Sequence, residues 1–218
     1  LANKEINPPS VETDYSNELI NKFTHNKKDM MLDNPNYRGQ LSEQLSKKYN
    51  VPKAQIDDYL TKLNDSKQSI RENLSAIALN PKNDKAYSEL GNDYFNIGEY
   101  DQAEKVYMAA MSANPNSKGA KNGLGSVALA KKDYPTAVQV FSELSQTNPN
   151  TDNISKLATA VYGTGDFQTA YDLANKAVTA GGDMPDSYAL KIRATANAAL
   201  GNNAQSVEDL KASKVAEE

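Results

Sequence analysis

DKAYSELGNDYFNIGEYDQAEKVYMAAMSANPNS, residues 84–117, is followed directly by KGAKNGLGSVALAKKDYPTAVQVFSELSQTNPNT, residues 118–151. The two stretches align without a gap, so that Asn114-Pro115 in the first matches Asn148-Pro149 in the second. The earlier Asn80-Pro81 precedes them by the same step of 34 residues. A period of this length is typical of stacked helical hairpins. The sequence therefore predicts a helical repeat protein.

Small residues recur at matching places in the two stretches. Gly91 and Gly125 occupy one place, and Ala103 and Ala137 occupy another. Two helices can cross closely only where a small residue leaves room for the neighbouring backbone or side chain. We therefore expect each stretch to form two helices that cross at these positions, with the proline ending the second helix.

Aromatic residues complete the pattern, because Tyr107 in the first stretch matches Phe141 in the second. The order Leu-Gly, Tyr, Ala-x3-aromatic and Pro resembles the tetratricopeptide repeat family. The resemblance implies an all-α solenoid, a right-handed superhelix of helix hairpins, with additional N-terminal helices. It also implies a non-catalytic scaffold or adaptor that binds a peptide or protein segment in a concave groove.

The rest of the chain divides around these two units. A weaker third unit starts at Thr151, and a fourth has a more polar second helix, as expected of a unit that ends the stack. The predicted organisation is a flexible leader 1–13, an N-terminal helical region 14–83 that ends in a partial repeat, and a repeat domain 84–218 with units 84–117, 118–150, 151–184 and 185–218.

The N-terminal region has its own pattern of helices. Apolar residues at helical spacing predict a helix over residues 14–33, and Asn34 to Gly39 is predicted to be a turn. Two further helices are expected to flank Asn50-Val51-Pro52, the second running to Leu79. This pair also resembles a helix-turn-helix unit, although Asp57 and Asp58 on its second helix would repel DNA phosphates.

In the repeat family, the first helices of successive units line the groove. Carrying their groove-facing positions onto this chain gives the candidate partner-binding residues Asn92, Phe95, Asn96, Asn122, Ser126, Leu129, Lys156, Thr159 and Tyr162, with Ser155 beside them. Asn side chains can both donate to and accept from an extended peptide backbone. Phe95, Leu129 and Tyr162 occupy one position in three units, which predicts either an apolar ridge for the partner or packing between helices.

Some family members hold a terminal carboxylate with a clamp of lysine, asparagine and arginine side chains. Here Asn92 fits one clamp position and Lys156 stands at the place of the arginine. Ser88 and Gly123 replace two other members, and Asp152 reverses the charge at the fifth position. Since a carboxylate needs converging donors and cations, the sequence argues against this clamp.

Composition narrows the class of function further. The 218 residues carry a net charge of −4, which disfavours a nucleic-acid partner, and no apolar run is long enough to cross a membrane. There is no cysteine and the one histidine is His25, so no cofactor, metal site or catalytic group is predicted. The absence of cysteine and a polar start at Leu1 favour an exported or envelope-associated protein over a cytoplasmic one.

Two alternatives remain open at this level. The first is a transcriptional regulator that joins the helix-turn-helix-like unit to a repeat sensor. The second is a structural oligomer that assembles through its repeats, and a homo-oligomer through the N-terminal helices is compatible with the leading hypothesis as well.

Overall fold

A computed structural model describes residues 34–182 and 186–216. All regular structure in these residues is α-helical, which confirms the predicted all-α solenoid. The helices are α1 (Pro35–Tyr49), α2 (Lys53–Leu79), α3 (Asp84–Asn96), α4 (Tyr100–Ala113), α5 (Lys118–Ala130), α6 (Tyr134–Thr147), α7 (Thr151–Gly163), α8 (Phe167–Ala180), α9 (Ser187–Ala199) and α10 (Asn203–Val215). The predicted leader, the predicted helix over 14–33 and His25 lie outside the described residues.

The first described helix begins where the sequence predicted a turn. Asn34 is the N-cap of α1, and its Oδ1 accepts hydrogen bonds from the backbone N–H of Asn36 at 2.9 Å and of Tyr37 at 3.3 Å. Pro35 takes the first helical position, where its missing N–H leaves no bond unmade. The turn predicted for residues 34–39 is therefore wrong, because asparagine before proline starts a helix as readily as it forms a turn.

The N-terminal hairpin has the form that the sequence predicted. Asn50 lies in the left-handed region with a φ of 54°, which ends α1 and lets the chain reverse into α2. The 27-residue α2 spans about 40 Å at the usual helical rise. Its first half packs against α1, while Ile97 from the repeat domain joins the same buried cluster. The hairpin is thus joined to the repeats through a continuous apolar core.

Four helix pairs follow α2, namely α3 with α4, α5 with α6, α7 with α8 and α9 with α10. Local signals position their starts, since Asn83, Ser117, Asn150 and Asp186 each cap a first helix with a side-chain oxygen. The second helices α4 and α6 end at Asn114 and Asn148, each followed by the proline of the repeat pattern.

Residues of complementary size join one pair to the next. Tyr107 on α4 is 1% exposed and lies against both Gly91 of its own pair and Gly123 of the next. A Cβ added to Gly123 would lie 2.3 Å from the Tyr107 ring, so the ring fits only because that side chain is absent. Between the third and fourth pairs the small residue lies on the second helix and the large one on the following first helix, since Ala174 packs with Ile192. Total volume at the junction is therefore kept while its distribution changes.

The last pair is held by polar contacts. Arg193 on α9 donates two hydrogen bonds to the Asp209 carboxylate on α10, at 3.0 and 2.7 Å. Asp209 is 2% exposed, and Asn197 and Gln205 also donate to it at 3.3 Å. A buried carboxylate is stable only when it is paired and hydrogen-bonded in this way. The α9–α10 contact thus depends on charge and geometry more than on apolar burial.

The turn inside the second pair stores backbone strain. The turns of the other pairs place Gly98, Gly165 and Gly201 in the left-handed region, whereas the second has Lys132 there with a φ of 60°. Replacing Lys132 with glycine should raise the free energy of unfolding by about 0.5–1 kcal/mol, measured by urea denaturation, because glycine adopts this conformation without a steric penalty.

Gly165→Lys supplies the matched reverse experiment. A side chain at Gly165 would meet nothing within 4 Å, so only the backbone conformation is tested. We expect a loss of about 1 kcal/mol. Equal unfolding midpoints for Lys132→Gly and the unmodified chain would show that the lysine is not strained.

Candidate functional site

An open recess lies across the first helices α3, α5 and α7, which contact one another side by side. Its volume is about 460 Å³. The residues that line it are Asn92, Phe95, Tyr107, Lys118, Gly119, Asn122, Gly123, Ser126, Asn148, Asp152 and Lys156. The middle helix contributes Gly119 and Gly123, one turn apart. Gly119 is exposed, so its backbone forms the open floor, while the Tyr107 ring covers Gly123. We call this feature the central recess.

A fixed asparagine forms one wall of the central recess. The Tyr107 hydroxyl passes between the two glycines that flank its ring and donates a 2.7 Å hydrogen bond to Asn92 Oδ1. With its oxygen engaged, Asn92 presents its amide N–H groups to the exposed side. Burial of the ring, with a smaller contribution from the charge of Asp93, raises the pKa of Tyr107 to about 12. The phenol is therefore a neutral donor throughout the physiological range.

The opposite wall is a network that is already satisfied. Lys156 Nζ donates to Asn122 Oδ1 and to Asp152 Oδ2, both at 2.9 Å. Asn122 Nδ2 in turn donates to Asn153 Oδ1 at 2.9 Å. These bonds connect α5 to α7. Both the amide oxygen and the amide nitrogen of Asn122 are therefore already bonded within the protein. The two groove asparagines thus differ, because the Asn92 donors have no partner among the described residues, whereas Asn122 serves to hold the wall.

One charged side chain in the central recess has no partner among the residues that the structure describes. Lys156 and Asp152 neutralise each other, and the Lys156 ammonium also lies 5.8 Å from the centre of the Phe141 ring. Lys118, at the first position of α5, forms no hydrogen bond or ion pair with the described residues. The central recess therefore carries a small positive excess in a chain that is acidic as a whole.

The three apolar groove positions all pack against other apolar residues of the fold. The Phe95 and Tyr100 ring centres are 5.3 Å apart, and those of Tyr162 and Phe167 are 5.1 Å apart. Leu129 packs against the buried cluster of the second and third pairs. All three remain partly exposed, so each joins the core with one side and borders the groove with the other.

The structure brings only some of the predicted site residues together. Asn92, Phe95, Asn122, Ser126 and Lys156 line the central recess. Thr159 lies farther along α7, where its hydroxyl is 2.8 Å from that of Tyr188.

Two further positions lie elsewhere in the fold. Asn96 lines a different hollow, with Tyr59 and Leu63 of α2, because α3 ends there and turns toward the N-terminal hairpin. Ser155, expected beside the groove, is fully buried.

Sequence reasoning missed several members of the central recess. Tyr107 was assigned to packing only, and Lys118, Gly119 and Asn148 were not considered. The glycine pair on α5 was the available signal, since a glycine on a helix face either exposes the backbone, as Gly119 does, or makes room for a ring, as Gly123 does. The hydroxyl of Tyr107 could have been noticed as well, because the matching residue Phe141 lacks it.

The comparisons with known proteins agree with this architecture. Residues 88–150 match the family model described as tetratricopeptide repeat. The chain contains tetratricopeptide repeats. The two units in which the 34-residue step is clearest account for the whole of that match. A search of curated proteins found no significant match.

Solved structures with tetratricopeptide repeats resemble the chain over most of its length. MamA from Desulfovibrio magneticus RS-1, from residue 41 to its end, has a TM-score of 0.62 at 16% identity, covering 83% of this chain and 95% of that one. YrrB, described as a tetratricopeptide repeat protein with an unusual peptide-binding site, has a TM-score of 0.55 at 17% identity, covering 74% and 83%. At these identities the likeness shows the fold alone.

The described residues offer little for other kinds of site. Within 34–182 and 186–216, no cluster of histidine and acidic side chains could hold a metal ion. Over the same residues no helix has the length and apolar character that a bilayer span requires. On the helix-turn-helix-like hairpin, Lys53 pairs with Asp57 and Lys62 with Asp58, at 2.6 and 2.7 Å. Those lysines are therefore partly neutralised.

Replacing Tyr107 with phenylalanine should show how much the phenol hydroxyl contributes to the free energy of unfolding and how that contribution depends on pH. Near neutral pH we expect a loss of about 1 kcal/mol in the free energy of unfolding, from the hydrogen bond to Asn92. The phenol ionises more readily in the unfolded chain, so its contribution is complete below pH 10 and is lost as the pH rises toward 12.

The difference in unfolding free energy between the two chains should therefore shrink above pH 10 and can reverse in sign. Urea denaturation at a series of pH values measures it. A difference that stays constant from pH 7 to the alkaline limit would contradict the raised pKa.

Proposed function

We propose that this chain is a non-catalytic scaffold that binds an extended segment of a partner protein along the face formed by α3, α5 and α7. The central recess carries the proposal, because it is the place on this face where backbone, fixed donors and a cation are open together. Tetratricopeptide repeats in general serve as protein-interaction modules, which sets the class of partner.

The chemistry of the central recess suits a peptide main chain. Asn92 is held in one orientation by Tyr107 and offers N–H donors to backbone carbonyl oxygens. Gly119 is exposed and permits close approach of a second backbone to α5, whereas the Tyr107 ring covers Gly123. Donors that are fixed before binding lose little conformational entropy when the partner arrives.

The N-terminal hairpin leaves the central recess accessible. No residue of α1 or α2 is among those that line it, and α2 packs on the far side of α3 through Leu63 and Ile97. Within the described residues, the groove is therefore not filled by the hairpin that precedes it. The peptide-binding site named for YrrB offers a precedent on the same fold.

Two substitutions in the central recess test the proposal. Gly119→Ala places a methyl group on the floor of the central recess, 3.5 Å from Ser88 Oγ, which is an ordinary contact that leaves the fold intact. Asn92→Ala removes the fixed donors. Peptides selected from a random phage-displayed library on the unmodified chain should bind either variant at least about tenfold more weakly, as expected for a lost anchor, measured by fluorescence anisotropy.

Asn116→Ala is the matched control, since Asn116 is exposed in the turn before α5 and outside the central recess. Its peptide affinity should equal that of the unmodified chain, and all three variants should keep the same circular dichroism spectrum. Selected peptides that bind Gly119→Ala and Asn92→Ala with unchanged affinity would place the binding surface elsewhere.

A further inference from the structure

The last helix has its polarity reversed relative to the other second helices. On α10 the buried side chains are Ser206, Asp209 and Ser213, which face α9. Val207 and Leu210 point away and are 50% and 44% exposed. A surface helix ordinarily buries its apolar stripe and exposes its polar one. The apolar stripe of α10 is therefore placed for contact with something other than α9.

The earlier repeats show what this stripe does when it is covered. Leu210 stands at the position that Tyr107 occupies in the first pair and Phe141 in the second. Those rings are 1% and 0% exposed, and α5 and α7, the first helices of the following pairs, pack over them. The same face of α10 is thus a continuation of the repeat-to-repeat interface, and none of the described helices lies on it.

The opposite end of the described chain does not offer a matching surface. The outward side chains of α1 are polar and exposed, as for Gln40, Glu43 and Lys47. An apolar stripe gains little from contact with such a surface. Head-to-tail stacking of α10 on α1 of another copy is therefore disfavoured, whereas α10 itself carries a complementary apolar stripe.

We propose that a second copy of this chain covers the stripe, with α10 of one protomer packed antiparallel against α10 of its partner. The identical stripes of the two copies form an isologous contact about a twofold axis. The charges fit this arrangement, because Glu208 lies in the first half of α10 and Lys211 and Lys214 in the second. Antiparallel packing places Glu208 of each copy beside the lysines of the other, whereas parallel packing would set like charges together.

This dimer goes beyond the proposed peptide binding, because it uses a different surface. It leaves the central recess of each protomer open and brings two of them into one assembly. A partner with two binding segments would then gain affinity from the second contact without any new chemistry. Failure of the dimer would leave the single-groove proposal untouched.

Light scattering of the full chain tests the contact directly. Over about a hundredfold dilution, the unmodified chain should change from twice the chain mass to the chain mass. Leu210→Glu should give the mass of one chain at every concentration, because two glutamates would meet across the axis, and Val207→Glu should weaken the dimer because it places a charge in the apolar contact. Met108→Glu, on an equally exposed apolar residue of α4, should keep the dimer.

The absence of native cysteine allows a second measurement. Leu210→Cys lies near the centre of α10, so its thiol should meet its own copy and form an intermolecular disulfide on oxidation, whereas Met108→Cys should not. The proposal is overturned if the unmodified chain stays monomeric at the highest concentration. It is equally overturned if Leu210→Glu still forms the dimer, or if both cysteine variants cross-link to the same extent.

Discussion

The stack depends on residues of complementary size at each junction between helix pairs, and at the first junction an aromatic ring is inserted between two glycines. Tyr107 reaches from α4 past Gly91 and Gly123, and Phe141 lies against Gly125 in the next unit. Each glycine gives up helix propensity, at a cost of roughly 1 kcal/mol relative to alanine. That cost is offset because full burial of an aromatic side chain contributes more. The junction thus exchanges local helix stability for contact between units.

The same insertion creates the candidate site. Only a ring that crosses the whole helix layer can deliver a hydroxyl to the exposed side, and Tyr107 does so beside Asn92. Phe141 has no hydroxyl, and Lys156 in place of a glycine lies over its ring instead. The described repeats therefore form one central recess and not a row of equivalent ones, because the residues at a single repeat position differ from unit to unit.

Sequence reasoning succeeded where a local rule decides the outcome. The glycine and alanine positions and the proline stops predicted the helix pairs, since each acts on the backbone around it. It failed for Asn34, where asparagine followed by proline satisfies both a turn and a helix start. It also could not show that Asn92 and Asn122 differ in availability. The Asn122 oxygen accepts a hydrogen bond from Lys156, which belongs to another helix pair. Side-chain availability is a tertiary property that spacing alone does not contain.

The polarity of the last pair follows from the same logic of junctions. In the inner units, the residue at the Tyr107 position faces the next unit, and its size is matched there, as Ala174 is matched by Ile192. On α10 the matched contact toward α9 is made by the Arg193–Asp209 pair, which needs no apolar surface. The apolar residues Val207 and Leu210 are then redundant for holding α10 in place. Their outward position gives the proposed contact with a second copy its apolar surface.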